Sequence, residues 1–382
     1  MKTMLQTNHL ASFPFDAESD CFFSAMASTL TYVMGLTDDT PFWCGMNRTY
    51  CIHCGRCAGS VMQKHQRLMY HSLIAATGVA YAFDYPEDDS ALMHTLPGVE
   101  KGWRWPDEFI DFNMRFAGLE WRRLSPKDGK AQAASAIKAS IDSGYPVMVR
   151  LGGRNEFGPD AAWQIIAGYD GDAVIGLDSC DRSLSDSGCR YTDDGLFIMD
   201  DWHERMIDAL VIAGLRPADV TIGEVLDRSI EVLSYPMRDK LEAEILHLID
   251  TAAPDNAQQR ADLLGKITGV PIEARWHTAE AYDSVESPVS VLLKGSGLWQ
   301  SVRNQLFDLY IHDGTGETHG VCWQIWGALG IGPQTGLKTP ADAGQRLCDD
   351  KNKAILKELF QRVFENDRKV LDLFREIRQQ VE

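Results

Sequence analysis

Four cysteines and a histidine lie within fifteen residues of one another in the stretch WCGMNRTYCIHCGRC, residues 43–57. Cys51, Cys54 and Cys57 follow at intervals of three, and Cys44 stands seven residues before Cys51. Four thiolates at such spacing can hold a tetrahedral zinc ion or an iron–sulfur cluster. We therefore predict a metal site at these cysteines, and we favour zinc because the chain has no Gly-rich dinucleotide loop or other redox-cofactor signature. The alternatives are thiols buried by packing, or a pair that oxidises adventitiously.

A further cysteine, Cys21, stands at the predicted start of a helix in ESDCFFSAMASTLTYVMG. Ser19 or Asp20 can cap this helix, and Gly35 can end it. In the first helical turn the unpaired N–H groups and the helix dipole favour the thiolate, which makes a cysteine a better nucleophile. A histidine on a facing strand, oriented by a third polar side chain, would complete a Cys–His–Asx arrangement for acyl transfer. The alternative is a small buried thiol, a common role of free cysteine.

The elements that must position these residues change character along the chain. Helical spacing predicts a helix from Cys21 to about Met34, and further helices in SVMQKHQRLMYHSLIAATG, WRWPDEFIDFNMRFAG and KAQAASAIKASIDSG. Short runs rich in Val, Ile and Leu then predict five strands: PVMVRL (146–151), WQIIAGY (163–169), AVIGLD (173–178), GLFIM (195–199) and DALVIAGL (208–215). Asp170-Gly171-Asp172 predicts a hairpin between two of these strands. Helices first and an antiparallel sheet afterwards indicate an α+β domain.

This order of elements resembles the papain-like cysteine peptidases. More narrowly, it is similar to the double-glycine leader peptidases and the N-terminal domain of the butirosin-biosynthesis acyltransferase family. The resemblance covers residues 10–215 and is carried by the cysteine that begins the first helix, by GYPVMV and by WQIIAGYDGDAVIGLDS. It implies a papain-like fold in which Cys21 is the nucleophile and Asp178 orients the catalytic histidine.

Two positions depart from the pattern of these families. The histidine is expected about six residues before Gly168, where this chain reads DAAW (160–163), and the oxyanion-hole glutamine is expected where Phe15 stands. Loss of a general base or of an oxyanion donor typically costs a factor of about 10² or more in rate. Either another residue substitutes, such as His9 or His203, or peptidase chemistry is lost. A thiolate stabilised by the helix alone could still attack an activated thioester, which needs less help than an amide.

The C-terminal part of the chain has a different pattern. After Tyr235-Pro236 the strand signal nearly disappears and amphipathic helical segments follow. In the last of them, apolar residues recur at helical spacing and predict a core-facing stripe: Leu356, Leu359, Phe360, Val363, Phe364, Val370, Leu371, Phe374, Ile377 and Val381. We predict a papain-like α+β domain over residues 1–220 and an all-helical domain over residues 237–382.

Composition and charge exclude some classes of partner and indicate a cellular location. The net charge is −18, from 37 basic against 55 acidic residues, which argues against nucleic acid or an anionic membrane surface as the main partner. The N-terminus lacks a secretory apolar region, and no apolar run approaches about 18 residues. These features predict a cytoplasmic protein with no membrane association. In that compartment the nine cysteines should be free thiols, metal ligands or a nucleophile rather than disulfides.

The sequence thus predicts cysteine-dependent acyl transfer, or hydrolysis of an amide or thioester, in a biosynthetic pathway. The substrate would be a small molecule or a peptidyl or acyl-carrier substrate, and no nucleotide cofactor is expected. The alternative is a catalytically inactive papain-like protein that binds a metal or a small molecule through the CxxCxxC loop. A third alternative is a structural interaction module that uses the helical domain. The acyl donor and the oligomeric state are left open.

Overall fold

The computed structural model describes residues 2–6, 10, 21–35, 64–82, 84–88, 91–94, 107–152, 163–177, 189–236, 238–294, 297–312, 320–331 and 339–381. The chain forms two compact units. The first comprises residues 1–70 and 107–219, and the second comprises residues 71–106 and 220–382. The second unit therefore includes residues 71–106, which the sequence places within the predicted N-terminal domain.

The strands of the described residues are short. In chain order they are β1 Lys2–Met4, β2 Asp84–Asp88, β3 Ala91–His94, β4 Leu119–Leu124, β5 Val147–Leu151, β6 Trp163–Asp170, β7 Ala173–Leu177, β8 Arg190–Tyr191, β9 Phe197–Met199 and β10 Met206–Leu215. Strands β2 and β3 form a separate two-stranded sheet in the second unit. The others form one eight-stranded sheet in the first unit.

The described helices are α1 Cys21–Val33, α2 Lys64–Thr77, α3 Asp107–Ala117, α4 Lys130–Asp142, α5 Trp202–Arg205, α6 Ile222–Leu233, α7 Arg238–Asp250, α8 Ala257–Asp283, α9 Pro288–Lys294, α10 Trp299–Phe307, α11 Val321–Leu329, α12 Ala343–Cys348 and α13 Asp350–Arg378. Short 3-10 turns lie at Val79–Tyr81 and Pro126–Asp128. The boundary between the two units falls within α2.

The large sheet is antiparallel throughout and has the order β4-β10-β5-β6-β7-β9-β8, with β1 paired to the end of β6. Glycine is required at position 168 because the sulfur of Met4 and the carbonyl of Thr3 occupy the space that a Cβ would need. The mixed helix-and-sheet class and the antiparallel arrangement predicted from the sequence are confirmed.

One face of the sheet packs against α4. Ala133, Ala136, Ile137 and Ile141 recur at helical spacing along α4 and are buried. They join alternate residues of the strands in one core that includes Val147, Val149, Ile166 and Phe197. The other face packs against α1, which contacts β5 and β6.

Most predicted elements of the first unit are confirmed. The five predicted strands correspond to β5, β6, β7, β9 and β10, and the hairpin turns at Gly171, where φ is 61°. Strand β4 has no counterpart in the prediction. Its sequence LEWRRL buries Leu119 and Leu124 at its ends and exposes Glu120 and Arg122 between them. This is the pattern of an edge strand, which is weak evidence for a strand in the sequence alone.

The second unit is mainly helical, as predicted for the C-terminal region. Its principal core joins α7, α8, α11, α12 and the first half of α13, and contains Leu241, Ile245, Val321, Leu356 and Phe360. The apolar stripe predicted along α13 is buried, except that Leu371 and Val381 are only half-buried. The interpretation of this stripe as a core-facing surface is confirmed.

Candidate functional site

Helix α1 begins at Cys21 and ends at Val33, close to the predicted bounds. The N–H of Gly35 donates to the carbonyl of Tyr32, and Gly35 adopts φ 66°. This is the left-handed conformation that glycine provides at a helix C-terminus. Apolar residues from Phe22 to Leu30 bury the helix in the unit. The structure therefore places position 21 at the first residue of a core helix.

The first turn of α1 lies against the beginning of β6. The ring of Phe22 meets the ring of Trp163 edge-on, with centroids 5.4 Å apart. Phe109 of α3 contacts the rings of Phe22 and Phe23 at 6.3 and 6.1 Å. All four aromatic rings are at least nine-tenths buried. Aromatic packing therefore fixes the N-terminal end of α1 at the N-terminal end of β6.

Three strands meet at this end of the sheet. Trp163, the first residue of β6, pairs with Arg150 near the end of β5. Ile165 pairs with Leu177, the last residue of β7. Because neighbouring strands are antiparallel, β5 and β7 end where β6 begins. Asp178 follows Leu177 directly in the sequence and lies outside the described residues.

Charged side chains are buried on the face of the sheet that α1 covers. Arg150 is directly opposite Trp163 on one side and Asp208 on the other, so these three side chains share a face. Arg150 and Asp208 are each only 5% exposed. Arg123 Nη1 lies 3.1 Å from Asp208 Oδ2, and Arg123 Nε lies 2.8 Å from Asp107 Oδ1. Buried charges are retained only when they are paired or hydrogen-bonded.

This buried charged group is a feature that the sequence prediction missed. PVMVRL is an apolar run that contains one charged residue, Arg150. Every residue of β5 is buried, and this includes Arg150. An arginine inside a strand of that kind is itself a signal, because a guanidinium is rarely buried without a specific partner. The position of Asp208 opposite Arg150 could not be identified from spacing, since it depends on the pairing of β5 with β10.

His203, one of two suggested substitutes for the missing base, lies in α5. Its ring meets that of Trp202 edge-on at 5.6 Å. Trp202 belongs to the core on the α4 face of the sheet, and its Nε1 donates to the carbonyl of Asp172 at 2.9 Å. The structure therefore associates His203 with the face opposite α1. His9, the other suggestion, lies outside the described residues.

The predicted metal ligands Cys44, Cys51, Cys54 and Cys57 also lie outside the described residues, and the metal prediction stays a prediction. Across the ranges that the structure does describe, no group of three or more His, Cys, Asp or Glu side chains is arranged to hold a metal ion. Likewise, none of the helices within those ranges is long and apolar enough to cross a membrane.

The second unit buries a pair of histidines that are 206 residues apart in the chain. His71 Nε2 and His277 Nδ1 lie 3.1 Å apart, and both side chains are at most 1% exposed. At this contact one ring nitrogen donates and the other accepts, so one of the two facing nitrogens is unprotonated. Trp276 packs edge-on to the ring of His71 at 6.1 Å. No spacing in the sequence indicated this pair.

Comparison with known proteins gives no match: no protein-family model, curated protein or solved structure resembles the chain significantly.

Proposed function

We propose that the first unit is a papain-like domain in which Cys21 is the nucleophile of an acyl-transfer or acyl-hydrolysis reaction in a biosynthetic pathway. The observation that supports this proposal is the contact between Phe22 and Trp163. It places the start of the cysteine-bearing helix at the end of the sheet where β6 begins. The same end of the sheet is where β7 stops, one residue before Asp178.

The proposed chemistry follows from this placement. The N-terminus of α1 favours the thiolate of Cys21, which attacks the carbonyl carbon of an acyl thioester. The carbon–sulfur bond to the donor breaks and the donor leaves as a thiolate, so the acyl group becomes a thioester of Cys21. An acceptor amine, or water, then attacks this thioester and loses a proton, and the Cys21 thiolate is released. Asp178 would be the polar partner at the site.

An activated thioester fits the site better than a peptide bond. The positions where the resembled families have histidine and glutamine are occupied by the DAAW stretch (160–163) and by Phe15. A thiolate leaving group needs no protonation, whereas an amine leaving group requires a general acid. The proposed substrates are therefore small-molecule or acyl-carrier thioesters.

The proposal is tested by trapping the acyl-enzyme with a simple donor, the S-acetyl thioester of N-acetylcysteamine. Mass spectrometry of peptides should show acetylation concentrated at Cys21, with release when an amine is added. The matched control is Cys189→Ser, in the same unit, because the thiol of Cys189 donates to the carbonyl of Ile198 at 3.4 Å and does not begin a helix. Cys189→Ser should leave acetylation unchanged and Cys21→Ser should abolish it. Acetylation spread evenly over the cysteines would contradict the proposal.

The alternative proposal is a catalytically inactive protein that binds zinc, an iron–sulfur cluster or a small molecule through Cys44, Cys51, Cys54 and Cys57. Its support is the CxxCxxC spacing. Metal and sulfide analysis of anaerobically purified protein tests it. One metal ion or cluster per chain, lost when Cys51, Cys54 and Cys57 are replaced by serine, would favour this alternative if Cys21 also proves unreactive.

A further inference from the structure

The alternation of side chains along strand β5 directs Arg150 toward helix α1. Its neighbours Val149 and Leu151 belong to the core on the α4 face of the sheet. Because successive side chains of a strand point to opposite faces, Arg150 projects from the face that α1 covers. Trp163, which pairs with Arg150, packs against Phe22 at the start of α1. Arg150 thus lies one strand away from the residue that holds the first turn of the helix.

A β-bulge in strand β10 brings Asp208 to the same face. Met206 pairs with Leu151 and Asp208 pairs with Arg150, so Ile207 is the extra residue of the bulge. Met206 belongs to the core on the α4 face, and without the bulge the alternation of the strand would place Asp208 on that face too. Bulges are frequent next to active sites, where they redirect a side chain. Here the bulge turns a carboxylate toward Arg150 and away from an apolar core.

Charges of alternating sign follow one another across this face of the sheet. Arg150 stands on β5 and Asp208 on the neighbouring β10, and Arg123 of β4 lies 3.1 Å from Asp208. Asp107 of α3 continues this row of charges at 2.8 Å from Arg123. Helix α1 packs on β5 and β6, so Arg150 is the member of the row nearest to the helix. The helix that begins at Cys21 therefore faces the positive end of the row.

We infer that Arg150 is the cation that stabilises the thiolate of Cys21 in place of the missing histidine. This inference rests on the proposed function, in which Cys21 is the nucleophile. A guanidinium group near a thiol favours its ionised form, and the effect is stronger where burial excludes water. Asp208 keeps Arg150 in place and partly offsets its charge. Because Arg150 acts through the thiol, it is a positioning residue rather than a catalytic one.

The permanent charge of arginine matches the chemistry proposed for this site. A histidine can take a proton from a thiol and pass it to an amine leaving group, whereas a guanidinium stays protonated throughout. Arg150 can therefore keep Cys21 ionised but cannot protonate a leaving group. A thioester donor needs only the first of these effects, because its thiolate leaves without a proton. The inference thus explains why the substrate would be an activated acyl donor rather than a peptide bond.

The test measures the rate of Cys21 alkylation by iodoacetamide as a function of pH, with the peptides resolved by mass spectrometry. A unit charge about 10 Å away, or two strand spacings, changes an ionisation by roughly one pH unit at an effective dielectric constant of about 20. Arg150→Met should therefore raise the pH of half-maximal rate by about one unit, and Arg150→Lys should restore most of the wild-type value. The matched control Arg122→Met, at an exposed position of β4, should leave this pH unchanged.

Asp208→Asn is a second variant with an effect of opposite sign. Loss of this carboxylate leaves the charge of Arg150 less compensated, so the pH of half-maximal rate should fall. A purely structural role of the two residues would not shift the rate profile in opposite directions. Circular dichroism of each variant checks that the chain is folded. If Arg150→Met does not fold, Arg150→Lys and Asp208→Asn decide the test.

Three results would overturn the inference, and they can be told apart. If Arg150→Met matches a wild type whose half-maximal pH is well below that of an ordinary thiol, the proposed function stands without Arg150. If the wild-type value is itself the ordinary thiol value of about 8.5, the proposed function and the inference both fail. If Asp208→Asn leaves the half-maximal pH unchanged or raises it, the row of charges acts on Cys21 through packing alone.

Discussion

Replacing Asp367 with asparagine should destabilise the second unit strongly. The change keeps the size of the side chain but removes the carboxylate that Arg238 and Arg275 share, along with the charge that strengthens four hydrogen bonds. Removing one partner of a buried ion pair typically costs about 3–5 kcal/mol because the remaining charge cannot reach water. With Arg275 fully buried and Arg238 7% exposed, we expect a loss in that range.

The assay is urea unfolding followed by tryptophan fluorescence and circular dichroism. The matched control is Asp372→Asn on the same helix, where the carboxylate is 81% exposed and lies 4.0 Å from Arg375; it should stay within about 0.5 kcal/mol of wild type. Adding Arg238→Met to Asp367→Asn should cost much less than Arg238→Met alone, because the two residues interact. A loss below about 1 kcal/mol in Asp367→Asn, or additive effects in the double variant, would refute this reasoning.

Three further outcomes are expected. Burial would raise the pKa of Asp367, but Arg275, Arg238 and the hydrogen bonds hold this pKa below its ordinary value. The free energy of unfolding should therefore fall as the pH drops below about 4. The fall should be smaller in Asp367→Asn, which has no carboxylate to protonate at this position. Gly118→Ala should cost more in urea unfolding than Gly144→Ala: both glycines have positive φ, but a Cβ at position 118 would lie 2.7 Å from the carbonyl oxygen of Arg216, and one at position 144 meets nothing. Thr221→Ala should cost about 1 kcal/mol in the same assay, because the hydroxyl of Thr221 accepts a hydrogen bond from the N–H of Glu224 at the start of α6. If these variants were as stable as the wild type, the caps and contacts described here would not be formed in solution.

Local patterns predicted the regular elements well, for identifiable physical reasons. β5, β6 and β7 are buried strands rich in Val and Ile, and Gly171 ends one of them in a tight hairpin. α1 has an apolar sequence, and Gly35 follows its C-terminal end. Strand β4 was not predicted because the two arginines at its centre make the segment polar. The structure forms a strand there because the segment pairs with β10.

The long-range features were beyond sequence reasoning. Asp367 meets Arg275 and Arg238 across 92 and 129 residues, and nothing in the local pattern of α13 distinguishes this aspartate from its exposed neighbours. The sequence shows Arg150 as an arginine within an apolar run. Its position opposite Asp208 could be predicted only if the order of the strands were known. At the candidate site, Cys21 and its helix were predicted from the sequence. The contact between Phe22 and Trp163 was found only in the structure.

The central proposal, that Cys21 is an activated nucleophile, is tested most directly by the pH dependence of its alkylation. Iodoacetamide labelling resolved by cysteine would compare Cys21 with Cys189 and Cys348, two half-buried cysteines among the described residues. The proposal predicts that Cys21 reacts fastest at neutral pH and that its rate is half-maximal well below the ordinary thiol value of about 8.5. A Cys21 rate that is half-maximal at or above about 8.5, and no faster than that of Cys189, would contradict it.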